Sequence, residues 1–174
     1  MGLEIVERFA GQELPDVVVY PTGGGTGLVG IWKALTELSA LGLLDRTHVR
    51  LPRMVAVQSA NCAPVVEAFH RGLEEVVPVM SRGTVADGLD VPGAIMGQGI
   101  LRVLRESGGT AVAVSEEAIK RAFARYGEVG VPAGYESAAT LAGLLALRDA
   151  GEVGDGARIL LLNTGSHLIP LSKT

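Results

Sequence analysis

The chain has little aromatic character, little sulfur and little lysine. Aromatics make up 4% of its 174 residues, while 48% are hydrophobic. Its interior must therefore be built from Val, Leu, Ile and Ala. The length suits one domain, residues 1–174, and is ample for a core. A single cysteine, Cys62, excludes an intrachain disulfide and a thiolate zinc cluster. His48, His70 and His167 share no metal-like spacing, so no metal site is expected. No apolar run approaches the roughly 20 residues that span a bilayer. The opening MGLEIVERFAGQELPD has acids within it and no continuous apolar segment, unlike a secretory signal. MGLEIV also lacks the hydroxyl residue that a myristoylation signal carries. A net charge of −4 gives no electrostatic reason to expect nucleic acid or an anionic membrane as a partner. Together these absences predict a cytoplasmic protein. No G-x-S-x-G elbow is present, and Ser59 and Cys62 have no base near them in sequence.

Strand-like and helix-like stretches alternate along the chain. Val17–Tyr20, bounded by Pro15 and Pro21, reads as a buried strand. Leu28, Ile31, Trp32, Leu35, Leu38 and Leu41 then recur at helical spacing, with Gly42 as a stop. RMVAVQS after Pro52 is a second strand, and Pro64 opens a short helix, PVVEAFHRG. Residues 72–92 are irregular, and Asp87 and Asp90 read as polar loop groups. Residues 93–107 read as a helix with Ile95, Ile100, Leu101 and Leu104 on one side. TAVAV (110–114) is a third strand, and Ser115 caps a helix with Glu116 and Glu117 in its first turn. ESAATLAGLLALRDAG is an apolar helix whose small residues suit close packing on a sheet, and ARILLLNTGS is a last strand. Apolar strands alternating with helices predict an α/β fold: a mostly parallel sheet with helices on both faces, three layers in all.

Five glycines fall between Gly23 and Gly30, where the first strand meets its helix. Strand, glycine turn and helix form a recurrent anion site, because bare N–H groups and the helix dipole face the ligand. A tight turn alone needs fewer glycines. Gly25 to Gly30 formally fit G-x-G-x-x-G, the dinucleotide fingerprint. That fingerprint also wants an acid at the end of the next strand, where Gln58 and Ser59 stand, and Asp45 falls in the loop before it. No Gly-Lys-Ser/Thr follows the glycines, so a P-loop is excluded. A phosphomonoester remains as a common ligand.

The segments PTGGGTGLVGIWKA, LPRMVAVQSANCAPVVEAF, VADGLDVP, ILRVLRESGGTAVAVSEEAI, YESAATLAGL and LLNTGSHL occur in this order. Together they resemble the C-terminal half of a threonine synthase, a pyridoxal-phosphate enzyme of the tryptophan-synthase β fold type (fold type II). The resemblance covers nearly the whole chain. It implies that Gly23, Gly24, Gly25, Thr26 and Gly27 cradle the cofactor phosphate. It further implies that Thr164 faces the pyridine nitrogen and that Glu136 lies near the cofactor ring. As an ordinary residue, Thr164 is a strand-end hydroxyl and Glu136 a first-turn helix acid. His167 and Ile169 stand where the family tends to have glycine and lysine.

Enzymes of this type carry the cofactor on a Schiff-base lysine, which the resemblance places in the half of the family fold that this sequence lacks. Lys33, Lys120 and Lys173 are the only lysines, and each reads as a surface residue. No catalytic residue is therefore assigned. Three functions stay open: a threonine-synthase-like protein active only with its other half, a non-catalytic module for phosphate or a phosphorylated small molecule, and a nucleotide-binding α/β domain. Self-association or a complementary N-terminal half is expected to cover apolar surface. Two asparagines, three glutamines and an excess of Arg over Lys hint at a thermophilic origin.

Overall fold

A computed structural model describes residues 1–44 and 50–166. Its elements run α1 (Gly2–Arg8), β1 (Val17–Pro21), α2 (Thr26–Ala40), β2 (Arg53–Ser59), α3 (Pro64–His70), α4 (Gly97–Glu106), β3 (Thr110–Val114), α5 (Glu116–Glu128), α6 (Tyr135–Asp149) and β4 (Ile159–Leu161), with one 3-10 turn at Asp87–Leu89. The four strands form one sheet in the order β3-β2-β1-β4, and every pairing is parallel. The chain steps outward from β1 to β2 to β3, then crosses back to lay β4 on the other side of β1. The strand order therefore reverses between β1 and β4, the kind of switch point beside which open α/β sheets bind ligands.

Side chains alternate across the sheet, as the strand period requires. Val18, Met54, Ala56 and Ala111 join a core with Leu28, Ile31 and Leu35 of α2, Val65 of α3 and Ile100 and Leu104 of α4. Val17, Val19, Val55, Val57 and Val114 face the opposite core, with Ile119 of α5 and Ala138, Ala139 and Ala142 of α6. Helices on both faces give the expected three layers. Small residues in α6 permit its close approach: a Cβ at Gly143 would sit 2.7 Å from Val57 Cγ2. Ser115 caps α5 as expected, its Oγ accepting the Ala118 N–H at 3.2 Å.

Several local readings change. The N-terminal stretch, rejected as a signal, is the helix α1, and Gly2 packs against Ala34 and Ile31 of α2. The helix expected over 93–107 begins only at Gly97, and Ile95 is 86% exposed rather than in the core. Leu41 falls just past the end of α2 and is 71% exposed. The last strand is three residues long and half-buried, because β4 is an edge with one neighbour. Asp45, His48, His167, Ile169 and Lys173 lie outside the described residues. No helix among the described residues is long and apolar enough to cross a membrane.

Candidate functional site

β1 ends at Pro21, and the chain turns through Thr22 to Gly25 before α2 starts at Thr26. Gly25 is the N-cap residue and sits at φ 91°, a left-handed conformation that glycine adopts without strain. Among the described residues, no N–H from Gly23 to Gly27 donates to a protein oxygen. Gly23 and Gly25 are nevertheless buried residues, whereas Gly24 and Gly27 are partly open and Thr26 is exposed. Buried backbone N–H groups without acceptors are rare, and a row of them at a helix start suits an oxyanion.

The individual glycines have different reasons. A Cβ at Gly23 would lie 2.4 Å from the Gly88 carbonyl oxygen, one at Gly25 2.2 Å from Ile100 Cδ1, and one at Gly27 1.9 Å from the Tyr20 hydroxyl. The protein's own atoms exclude side chains at these three positions. At Gly24 a Cβ would meet nothing within 4 Å. Only there is open space kept in front of the loop, so the glycine run alone overstated how much of it a ligand requires.

Sequence reasoning missed the residues that hold this loop. The Gln58 side chain, wholly buried at the end of β2, donates from Nε2 to the Thr22 carbonyl at 3.1 Å. Its Oε1 accepts the N–H groups of Val65 at 2.9 Å and Val66 at 3.2 Å. The Met96 N–H donates to the Gly24 carbonyl at 2.9 Å. The sequence signal is a polar residue among the apolar positions of β2, at the place where a dinucleotide site would carry an acid.

Glu136, in the first turn of α6, accepts the Gly88 N–H at Oε1 at 2.9 Å. Glu136 is thus joined to the glycine loop through one residue, since the Gly88 carbonyl lies against Gly23. Thr164 follows β4 and is exposed. Its N–H donates to Ser137 Oγ at 3.0 Å, and Ser137 in turn donates to Asn163 Oδ1 at 2.7 Å. Thr164 and Glu136 therefore flank the same helix start. No hydrogen bond joins Thr164 directly to the glycine loop among the described residues.

Ser59 does have a carboxylate partner, 57 residues away: its Oγ donates to Glu116 Oε1 at 2.6 Å. Glu116 Oε2 accepts the Val85 N–H at 2.7 Å. Burial pushes the Glu116 carboxyl up, but hydrogen bonds from Ser59, Val85 and Thr84 and the charge of Lys120 outweigh it and hold the group below its usual value. The result ties the ends of β2 and β3 to the segment that reaches Gly88. Cys62 is buried, and burial, with Asp90 nearby, raises its thiol above the ordinary value, so it stays protonated. Lys33 is exposed and pairs with Glu37, and Lys120 is exposed on α5. Among the described residues no cluster of His, Cys, Asp and Glu suits a metal. A groove of about 620 Å³ between α5 and α6 contains none of the candidate residues.

An open parallel sheet with a glycine turn leading into a helix beside its switch point places the chain among open α/β folds. The family model for "Pyridoxal-phosphate dependent enzyme" matches residues 1–165, and the chain belongs to that family. It is 33% identical to a threonine synthase from Methanosarcina acetivorans over all of its own length and 42% of that protein. It is 30% identical to a threonine synthase from Methanocaldococcus jannaschii over 97% of its length and 40% of that protein. The chain thus spans about two fifths of the curated relatives it matches. A processed threonine deaminase isoform from Solanum lycopersicum shares its fold, with a TM-score of 0.72 at 19% identity, over 95% of this chain and 43% of that one.

Proposed function

We propose that this chain supplies the phosphate-binding part of a threonine-synthase-like pyridoxal-phosphate enzyme. The observation that carries the reading is the row of N–H groups from Gly23 to Gly27 without acceptors among the described residues, in a chain of this family. The residues present fit the group: donors converge at a helix N-terminus, and Gly24 leaves room for an approaching oxyanion. The backbone of Gly23, Gly24, Gly25, Thr26 and Gly27 would hold the phosphate, and the Thr26 hydroxyl would add a donor. Thr164 and Glu136 would serve the ring side. Bound pyridoxal phosphate supplies an electron sink for carbanion chemistry at a bound amino acid. Here the protein's part is to bind and orient it. A Thr164 hydroxyl offers the ring nitrogen a neutral hydrogen bond and does not enforce its protonation as a carboxylate would.

The reaction proposed for the complete site is that of threonine synthase, O-phosphohomoserine and water giving threonine and phosphate, in a cytoplasmic setting. None of the three lysines is placed beside the loop by its sequence position. The isolated chain is therefore proposed to be inactive and to need a complementary segment carrying the lysine. Ile95, exposed and next in the chain to Met96 whose N–H reaches Gly24, with exposed Val77 and Met80 elsewhere on the surface, offers apolar area for that segment. A nucleotide-binding reading is disfavoured, because Gln58 stands at the ribose position and is consumed by internal hydrogen bonds.

Titration of the ¹⁵N-labelled chain with inorganic phosphate tests the binding reading. Amide shifts confined to Gly23–Gly27 that saturate are expected. Shifts elsewhere only, or none, would reject it, and saturable binding of NAD would favour the nucleotide reading instead.

A further inference from the structure

We propose that Gln58 is a positioning residue for the phosphate loop, holding the Thr22–Gly23 peptide so that the Gly23 N–H faces the anion. The proposal rests on the phosphate reading above. Gln58 is wholly buried at a strand position where neighbours on both sides are apolar or small. Two N–H donors, from Val65 and Val66, face one end of its amide, and the Thr22 carbonyl faces the other. This arrangement fixes which end is oxygen and leaves Nε2 to donate. The amide therefore bridges the start of α3 and the start of the glycine loop.

The carbonyl of Thr22 and the N–H of Gly23 belong to one planar trans unit and point in opposite directions. Pinning the carbonyl aims the N–H. The Met96 N–H fixes the Gly24–Gly25 unit in the same way through the Gly24 carbonyl at 2.9 Å. The Val29 N–H fixes the Gly25–Thr26 unit through the Gly25 carbonyl at 3.0 Å. Of these three peptide units, only the first is held by a side chain. Donors fixed in advance need not reorganise when an anion arrives, so their alignment appears as affinity. A glycine turn released at one end would sample other orientations before binding.

The test compares the parent chain with Gln58→Glu and Gln58→Met by phosphate titration of ¹⁵N-labelled protein. Gln58→Glu keeps an oxygen for Val65 and Val66 and, in its ionised form, sets an acceptor against the Thr22 carbonyl, so it is titrated at a pH where the carboxyl is ionised. Gln58→Met keeps the length and removes both polar ends. Both variants should bind phosphate about tenfold more weakly, the equivalent of one misaligned hydrogen bond to a charged group. The Gly23 amide peak should broaden or move without ligand, while peaks from the middle of α2 stay in place. A role confined to stability would lower the melting temperature and leave affinity unchanged, so equal affinity in a folded variant overturns the proposal. If neither variant folds, the parent decides. Its Gln58 side-chain NH₂ protons should be protected from exchange and shift together with the Gly23 amide on titration, and rapid exchange or no shift overturns the proposal. Absence of any loop shift in the parent would defeat the phosphate reading, whereas an undisturbed Gly23 peak in a folded variant would defeat the positioning role alone.

Discussion

Gly25 and Gly24 adjoin in the chain but answer to different constraints, and substitutions separate them. Gly25 has φ 91° and lies against Ile100 Cδ1, so Gly25→Val meets both backbone strain and a clash. It should cost about 2–4 kcal/mol of stability and abolish phosphate binding, as read by urea unfolding and by titration. Gly24 has open space before it, and its φ is not positive. Gly24→Ala should leave the unfolding midpoint almost unchanged while weakening phosphate binding, because the new methyl stands where the ligand approaches. Unchanged binding in Gly24→Ala would place the anion elsewhere. Thr26→Ala should weaken binding by about 0.5–1.5 kcal/mol, the contribution of one hydrogen bond. At this scale the sequence revealed a glycine turn at the strand–helix junction, which the structure places between β1 and α2. It could not divide the glycines between ligand and packing. That division depends on Ile100, Gly88 and Tyr20, of which two are remote in sequence. Gln58 was hidden for the same reason, because its partners are set by folding.

Among the elements, the strands were the most legible, because β-branched runs bounded by proline read plainly as buried parallel strands. Helix ends were less so. Pro92 to Met96 continue the apolar composition of α4, yet Gly93 and Gly97 interrupt it, and Ile95 is left in solvent. The edge position of β4 shortens it to three residues, which composition does not register. The junction of β2, β3 and the 84–91 segment turns on Glu116. Its carboxyl is held below the usual value of 4.5. A depressed carboxyl contributes stability that is present above its unfolded value and is lost as pH falls through its folded value. Glu116→Gln should therefore be less stable than the parent by about 1 kcal/mol near neutral pH, allowing for partial exposure. The difference should shrink as pH falls below 4.5, measured by urea midpoints over a pH series. A difference that stayed constant with pH would mean that the ionised form is not what holds the junction.

For the whole molecule, exposed apolar side chains predict association. Met80 is 92% exposed and Ile95 86% exposed, with Val77 close by. Without a complementary segment the chain should self-associate through an interface of at least about 1,000 Å². Sedimentation at micromolar concentration should give a mass above that of one chain, and a clean monomer would contradict this expectation. The central proposal is that the chain presents a phosphate loop for pyridoxal phosphate but, among the described residues, no lysine placed to hold the cofactor covalently. The most direct test incubates the chain with the cofactor, reduces with borohydride and maps the adducts by mass spectrometry, with threonine formation from O-phosphohomoserine assayed in parallel. The account predicts substoichiometric labelling spread over Lys33, Lys120, Lys173 and the N-terminal amine, and no threonine. A single stoichiometric adduct at one of those lysines, together with threonine formation, would contradict it.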